Sequence, residues 1–142
     1  MGRVKKYISE DEFMVTYGDG VGDMDLKKLL EFHRAQGTIA TLTGVRPRSR
    51  FGLMKIDEAK SLASGFAQKP QLEKYISGGF MVFQKKSFDY FDDGWLENAF
   101  VKLTAEKQLS IYKHDGFWKS MDTYNEMEEL NALWNEKRPW AV

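Results

Sequence analysis

Cysteine is absent from the 142-residue sequence, and histidine and proline are scarce, at two and three residues. Without cysteine the chain has no disulfide framework, no thiolate zinc site and no cysteine nucleophile. No run reaches the roughly 20 apolar residues that span a bilayer, and no apolar signal core follows the first residues. We therefore expect a cytoplasmic protein that does not bind membranes.

An excess of charge of one sign is also missing, because 21 basic residues balance 21 acidic ones. The basic clusters at residues 5–6 and 46–50 are too short to attract a nucleic-acid backbone, so no nucleic-acid partner is expected. Apolar residues make up 42% of the chain and aromatic residues 14%. This composition predicts a single domain, residues 1–142, with a core of its own.

The first third of the chain has the pattern of a strand, a helix and a second strand. Residues 13–17 are apolar and stop at a Gly-Asp-Gly sequence, whereas residues 38–45 are rich in β-branched side chains. Between them a helix is predicted to begin after Asp25 and to end at Gly37. A βαβ unit of this kind favours an α/β fold with a parallel sheet. The helix stripe expected to be buried is Leu26, Leu29, Leu30 and His33.

Shorter elements are predicted after Pro47. A capping box at Thr123 and Glu126 begins the last helix. The predicted strands are residues 51–56, 64–67, 79–83 and 108–112, and the predicted helices before the last one are 85–90 and 95–106. The stripe of the last helix expected to be buried is Met127, Leu130, Leu133 and Trp134.

Two aspartates are candidate metal ligands. Asp19 lies between glycines where the first strand ends, and in α/β sheets ligands bind at such strand ends. Asp122 directly precedes the capped last helix. One or two carboxylates together with substrate phosphates are the usual ligands of Mg²⁺. The alternatives are an ordinary Asp-Gly turn for Asp19 and a helix-cap residue for Asp122.

Three further segments could contact a phosphate or a sugar. Lys69 precedes a proline, where it is either a phosphate ligand or part of an exposed turn. The glycines of residues 77–79 either let a ligand approach the backbone or relieve a bend. Arg50 either reaches a phosphate or is a surface arginine beside a buried Phe51.

The remaining polar candidates give no catalytic triad. His33 is expected to pack on the first helix, and His114 could pair with Asp115 as a base and its orienting acid. No serine or cysteine lies in a nucleophile motif that such a pair would serve. Phe117 and Trp118 are either core residues or a platform for a ring.

In their order along the chain, these motifs resemble those of the sugar-1-phosphate nucleotidyltransferases. They are YGDGV at residues 17–21, RFG at 50–52, KP at 69–70, GGF at 78–80 and GFWKSMDT at 116–123. The resemblance implies a three-layer, Rossmann-like nucleotide-diphospho-sugar transferase fold, of which this chain is the carboxyl-terminal portion of a mixed, mostly parallel sheet. It also implies that the family's glycine-rich nucleotide loop would lie before residue 1.

The resemblance further implies the roles of individual residues. Asp19 and Asp122 would bind Mg²⁺ and, with Lys69, would be the catalytic residues. The implied substrate-binding residues are Gly20, Arg50, Lys69, Ser77, Gly78 and Gly79. Three positions depart from the family pattern, with Gln68 and Leu96 in place of glutamates and Ser77 in place of an asparagine.

The motifs are most similar to those of family members that use CTP and glucose 1-phosphate. The implied reaction gives CDP-glucose and pyrophosphate, a step of surface-polysaccharide biosynthesis. The alternative is a truncated, non-catalytic module that binds a sugar phosphate or serves in assembly. In either case we expect a homo-oligomer or association with a full-length relative, because half of such a domain would leave sheet surface uncovered.

Overall fold

A computed structural model describes residues 2–92 and 95–141. Two short 3₁₀ helices, Gly2–Tyr7 and Lys85–Asp89, accompany the main elements. The strands are β1 Glu12–Val15, β2 Gly20–Gly22, β3 Ala40–Val45, β4 Leu53–Asp57, β5 Leu62–Ala67, β6 Ile76–Gln84, β7 Leu109–His114 and β8 Trp118–Ser120. The helices are α1 Leu26–Gln36, α2 Leu96–Ala105 and α3 Tyr124–Glu136.

The central sheet has four strands in the order β1-β6-β3-β7. Strand β6 is antiparallel to both of its neighbours, and β3 is parallel to β7. Strands β1, β3 and β7 therefore run in one direction and β6 alone runs in the other. This confirms the mixed α/β sheet, in which three of the four strands run in one direction while only the β3–β7 pairing is parallel. The predicted βαβ unit is present, with β6 inserted between its two strands.

Helix α1 forms because its two ends are capped locally. The Asp25 carboxylate accepts the Lys28 amide at 3.0 Å, and Gly37 ends the helix with φ of 66°. Leu29 and His33 are buried as predicted, whereas Leu26 is exposed. The buried stripe is narrower than predicted because α1 packs on the sheet along its central turns.

Helices α1 and α2 cover opposite faces of the central sheet. His33 of α1 lies 2.7 Å from the Thr41 hydroxyl, so α1 packs on the face to which Thr41 points. Burial lowers the pKa of His33 and favours its neutral form. Alternate residues of a strand point to opposite faces. Ala40 therefore faces the other side, where it packs with Leu103 of α2. The result is the predicted three-layer arrangement.

The main core lies on the α2 face. Phe83 is fully buried there and stacks on Phe13, with ring centroids 5.6 Å apart. Half-buried Phe100 stacks on Phe83 from the helix side at 6.4 Å. The buried members of this cluster are Ile39, Ala40, Leu42, Met81, Phe83 and Leu103.

Two burial predictions are wrong. Helix α3 begins at Thr123 with the predicted capping box, but it has no buried residue, and Trp134 stacks on Trp140 instead of entering the core. Phe51 is 74% exposed, not buried. Both errors have the same physical origin. An apolar side chain indicates which face could be covered, but not whether another element covers it.

Candidate functional site

A short ladder that the sequence analysis did not predict brings the two candidate metal ligands together. Strands β2 and β8 pair antiparallel, with Gly20 opposite Ser120. The Met121 amide then donates to the Asp19 carbonyl at 2.8 Å and extends the ladder by one step. Asp122 is the next residue. Two acids from opposite ends of the chain thus lie at the same end of one ladder.

Both aspartates line a cleft of about 740 Å³, a volume typical of small-molecule sites. Arg50 and Ser77 also line it, so four of the predicted site residues share one cavity. Gly78 is not part of the lining, although its carbonyl accepts the indole N–H of Trp118, which is, at 2.8 Å. The remaining predicted residues, Gly20, Lys69 and Gly79, lie outside the cavity lining.

Arg50 is the hub of an ionic network in this cleft. Its guanidinium forms an ion pair with the Asp122 carboxylate, and its Nε donates to Glu126 Oε1 at 2.9 Å. The hydrogen bond to Asp122 raises the pKa of Arg50, and the nearby charge of Glu126 raises it further. The Asp122 carboxylate therefore pairs with an arginine, whereas the side chain of Thr123 caps α3. A role for Asp122 as a metal ligand stays a prediction.

Glu126 connects Arg50 to the first residues of α3 and its cap. Its Oε2 accepts both the Asp122 amide and the Thr123 hydroxyl at 3.0 Å. Burial raises the pKa of Glu126, but these hydrogen bonds and the Arg50 charge outweigh it, and the net shift is downward. Glu126 is therefore ionised at neutral pH and fixes Arg50 beside Asp122.

A second polar group lies around Tyr17. The Tyr17 hydroxyl donates to Glu97 Oε1 at 3.2 Å, and burial together with the Glu97 charge raises its pKa. Its ring covers Gly79, which has φ of 82° and where a Cβ would lie 2.6 Å from Tyr17 Cδ2. Packing alone therefore requires a glycine at position 79. The Glu97 carboxylate thus lies beside Tyr17, one residue after Leu96, which stands where the family pattern has a glutamate.

Lys69 lies on the loop that follows β5. Its side chain is exposed, and its backbone has a positive φ of 45°. The next residue, Pro70, accepts the Ser49 amide at 2.8 Å, which ties this loop to a wall of the cleft. A role for Lys69 as a phosphate ligand stays a prediction.

The suggested pairing of His114 with Asp115 does not form. His114 Nε2 lies 2.9 Å from Asp23 Oδ1 and 3.2 Å from the Phe117 carbonyl. Asp115 instead accepts from Arg46 at 2.7 Å. The Arg46 ion pair draws Asp115 away from the imidazole. No base and orienting acid form in the way that the sequence suggested.

Sequence reasoning missed most of the basic residues of the cleft. Arg46 and Arg48 line it together with Arg50 and Lys119. Arg46 is held in place by Asp115 and by the Tyr75 ring, 5.1 Å from its guanidinium carbon. The alternation of arginines in residues 46–50 was the available signal. These arginines are too few to attract a nucleic-acid backbone, but a cleft needs few guanidinium groups to bind a phosphate, and the sequence indicated that role for Arg50 alone.

The donor set fits Mg²⁺ that binds together with phosphates. Within residues 2–92 and 95–141, no three His, Asp or Glu side chains form a metal-binding cluster. Mg²⁺ does not require one, because it commonly takes one or two carboxylates and completes its shell with substrate oxygens and water. Asp19 and Asp122 could supply those carboxylates. Across the same residues, no helix is long and apolar enough to cross a membrane.

Comparison with known proteins places the chain in a family. A model of the nucleotidyl transferase family matches residues 3–134. The chain is 35% identical over 149 residues to the probable glucose-1-phosphate cytidylyltransferase of Bacillus subtilis (strain 168). It is 38% identical over 146 residues to the glucose-1-phosphate cytidylyltransferase of Salmonella typhi. Each alignment covers 99% of this chain and 56% of the relative, so the chain spans little more than half their length.

A solved structure has the same fold. A Bacillus anthracis protein provisionally named a glucose-1-phosphate thymidylyltransferase superposes with a TM-score of 0.67 at 18% sequence identity. The superposition covers 95% of this chain and 59% of that one. The match over residues 3–134, the sequence relatives and this fold agree. The chain belongs to the nucleotidyl transferase family.

Proposed function

We propose that this chain forms the metal-binding and sugar-phosphate-binding part of a glucose-1-phosphate cytidylyltransferase. The observation that carries the proposal is the cleft that Asp19, Arg50 and Asp122 all line. Carboxylates for a cation and guanidinium groups for phosphates are what phosphoryl-group chemistry requires. Two relatives at 35% and 38% identity bear the name of this activity.

The proposed reaction joins glucose 1-phosphate to the cytidylyl group of CTP. A phosphate oxygen of glucose 1-phosphate attacks the α-phosphorus of CTP and forms a new P–O bond. The bond from the α-phosphorus to the bridging oxygen breaks, and pyrophosphate leaves with the electron pair. The products are CDP-glucose and pyrophosphate, which would serve surface-polysaccharide synthesis. A CTP-dependent enzyme of this kind would work in the cytoplasm, where nucleoside triphosphates are made.

The residues of the cleft would act by positioning and by charge. Arg46, Arg48 and Arg50 would bind phosphate oxygens, and Asp19 with Asp122 would hold Mg²⁺. When bound, Mg²⁺ supplies charge neutralisation at the phosphates. Lys69 would add a further positive charge if its loop moved toward the cleft. No protein nucleophile is needed, in agreement with the missing triad.

The sugar would lie beside Tyr17, Ser77 and Glu97. These three side chains offer hydroxyl and carboxylate groups, which are suited to the hydroxyls of a hexose. The backbones of Gly20 and Gly78 lie next to Trp118, and that of Gly79 lies next to Tyr17. Glu97 would contact the sugar hydroxyls in place of the glutamate that the family pattern has at position 96, where this chain has Leu96. At the other two positions where this chain departs from the family pattern, Gln68 and Ser77 still have side chains that form hydrogen bonds.

A second candidate is a binding or assembly module without catalysis. It is favoured by the Arg50–Asp122 ion pair, which already neutralises one of the two carboxylates. Such a module would bind glucose 1-phosphate without CTP and would assemble with a second copy or with a full-length relative. The two candidates differ in the nucleotide, which only the first must bind.

Calorimetric titration of the purified chain separates these candidates. Glucose 1-phosphate and Mg-CTP are titrated separately, and pyrophosphate release is measured when both are present. Because the chain spans 56% of the length of these relatives, the enzyme proposal expects the chain alone to bind glucose 1-phosphate, and it expects CTP binding and pyrophosphate release when the amino-terminal half of a full-length relative is added. It expects Asp19→Asn to abolish that release. The matched control is Asp11→Asn, which changes an exposed aspartate outside the cleft.

Binding of glucose 1-phosphate without CTP binding or pyrophosphate release, even with that amino-terminal half present, would select the non-catalytic module. Full pyrophosphate release by the Asp19→Asn variant would remove Asp19 from the site. If neither ligand bound, both candidates would be refuted.

A further inference from the structure

The indole of Trp118 links the short β2–β8 ladder to the central sheet. Its Nε1–H donates at 2.8 Å to the carbonyl of Gly78, a residue 40 positions earlier in the chain. Trp118 begins β8, whereas Gly78 belongs to β6. An indole N–H can donate but cannot accept, so the direction of this bond is fixed. The ladder beside which Asp19 and Asp122 lie is thereby tied to one carbonyl of β6.

Two glycines of β2 form the surface on which this ring lies. Gly22 is opposite Trp118 in the ladder. A Cβ at Gly22 would lie 3.5 Å from the indole Cδ1, and a Cβ at Gly20 would lie 3.6 Å from Nε1. Alternate residues of a strand share a face, so both glycines present the same face to the indole. The ladder therefore fixes the position of the ring.

The accepting carbonyl lies in a bulge of β6. Leu42 of β3 is opposite Met81. Two residues later, Gly44 is opposite Ser77, so residues 78–80 of β6 face one residue of β3. We call these three residues the β6 bulge. Bulges interrupt the pairing of a sheet and are frequent next to active sites. Contacts from other elements are needed to hold such a segment in place.

Two aromatic side chains supply these contacts. Tyr17 covers Gly79, which has φ of 82°, and Trp118 binds the carbonyl of Gly78. That carbonyl and the amide of Gly79 belong to one planar peptide group. A hydrogen bond that fixes the carbonyl therefore also fixes the direction of the Gly79 amide.

We propose that Trp118 is a positioning residue of the sugar-phosphate site, whose indole N–H orients the backbone of the β6 bulge. This inference rests on the proposed function, in which the sugar lies beside Tyr17 and Ser77, next to the bulge. Trp118 lines the same cleft. Its role differs from that of Asp19 and Asp122, because it holds a backbone segment and binds no metal.

The substitution Trp118→Phe separates this role from two simpler ones. A phenylalanine keeps an aromatic ring for core packing or for stacking on a ligand, but it has no N–H. If the ring alone mattered, the affinity for glucose 1-phosphate would survive the substitution. If the N–H orients the bulge, the carbonyl of Gly78 loses its donor and that affinity falls.

Calorimetric titration of the whole chain with glucose 1-phosphate measures the effect. Trp118→Phe is expected to weaken binding roughly five- to tenfold, as for one lost hydrogen bond whose acceptor stays in place. Its affinity for Mn²⁺ in the presence of inorganic phosphate is expected to be unchanged, because both carboxylates remain. The matched control is Trp134→Phe, the same change at a 49% exposed tryptophan outside the cleft lining, and it is expected to bind both ligands as the wild type does.

Three results would count against the inference, and they differ in what else they refute. An unchanged affinity for glucose 1-phosphate in a folded Trp118→Phe chain would overturn the positioning role alone. A folded variant that loses affinity for Mn²⁺ and for glucose 1-phosphate alike would also overturn it, since Trp118 would then support the whole cleft. A wild-type chain that binds no glucose 1-phosphate would refute the proposed function and the inference together.

An NMR measurement on the wild-type chain decides the matter if Trp118→Phe fails to fold. The chain has four tryptophans, so ¹⁵N labelling gives four indole N–H signals. Saturation with glucose 1-phosphate is expected to slow hydrogen exchange of the Trp118 indole, because a bound ligand holds the bulge against it. The exchange of the Trp134 indole is expected to stay the same. An unchanged exchange rate at Trp118 would overturn the proposal.

Discussion

Arg50 and Asp122 form an ion pair across the cleft, between the loop before β4 and the residue ahead of α3. Glu126 binds the same guanidinium and keeps it in place. If Asp122 is a metal ligand, its carboxylate is shared between a cation and Arg50. A phosphate that binds Arg50 would loosen this pair and make the carboxylate more available. Phosphate and metal binding should then favour one another.

Replacement of Arg50 by glutamine should raise the affinity for Mg²⁺ and lower that for inorganic phosphate. Both partners of the ion pair are about half exposed. The expected gain is therefore small, at most about 1 kcal/mol, or roughly fivefold in the dissociation constant. Calorimetric titration with each ion measures both effects. Arg34→Gln is the control, because Arg34 pairs with Glu12 far from the cleft. An unchanged Mg²⁺ affinity in Arg50→Gln would show that the pair does not restrain Asp122.

The lowered pKa of Glu126 predicts a stability that depends on pH. A carboxyl group with a lower pKa in the folded state stabilises the fold above its unfolded pKa. That stabilisation is lost as the pH falls through the folded pKa. Glu126→Gln should therefore lower the melting temperature at pH 7 more than at pH 3, whereas Glu128→Gln should lower it little at either. Thermal unfolding followed by circular dichroism checks this. Equal losses at both pH values would contradict the role of the Glu126 charge.

Gly79→Ala should destabilise the chain and displace Tyr17. A left-handed backbone costs an alanine about 1–2 kcal/mol, and the new Cβ would also collide with the Tyr17 ring. Gly37→Ala is the matched control, because Gly37 also has a positive φ but has no atom within 4 Å of a new Cβ. Urea unfolding should therefore show a larger loss at position 79. Equal losses would mean that backbone strain alone requires the glycine.

Phe83→Ala should cost about 3–5 kcal/mol of unfolding free energy, the usual price of removing a buried aromatic ring. Phe83 is fully buried among Phe13, Phe91 and Phe100. Phe51→Ala removes an exposed ring and should cost about 0.5 kcal/mol or less. Urea unfolding of both variants makes the comparison. A similar loss in both would contradict the placement of the core.

Local patterns explain how much of the fold was predictable. Helix α1 is specified within its own sequence, by Asp25, Gly37 and the apolar residues between them. Strand β3 is recognisable in the sequence because three of its six residues are β-branched, and in the structure all six are buried. In contrast, β2 and β8 have three residues each, and their pairing joins distant parts of the chain. No local period marks such strands, so the ladder beneath Asp19 was not predictable.

The candidate site was predictable as a set of residues but not as a network. Motif order singled out eight residues, of which Asp19, Arg50, Ser77 and Asp122 line the cleft. The other four, Gly20, Lys69, Gly78 and Gly79, are not part of its lining. The ion pair between Arg50 and Asp122 could not be read from the sequence, because it depends on how the loop before β4 approaches α3. The place of Glu97 beside Tyr17 was missed for the same reason.

The most direct test of the central claim is where a divalent cation binds. Mn²⁺, a paramagnetic substitute for Mg²⁺, is titrated into the isotopically labelled chain in the presence of inorganic phosphate, and broadening of the amide NMR signals is recorded. The proposed site predicts that signals of residues 18–20 and 121–123 broaden first, and that Asp19→Asn removes the effect while Asp11→Asn keeps it. Broadening elsewhere, or unchanged broadening in Asp19→Asn, would contradict a metal site shared by Asp19 and Asp122.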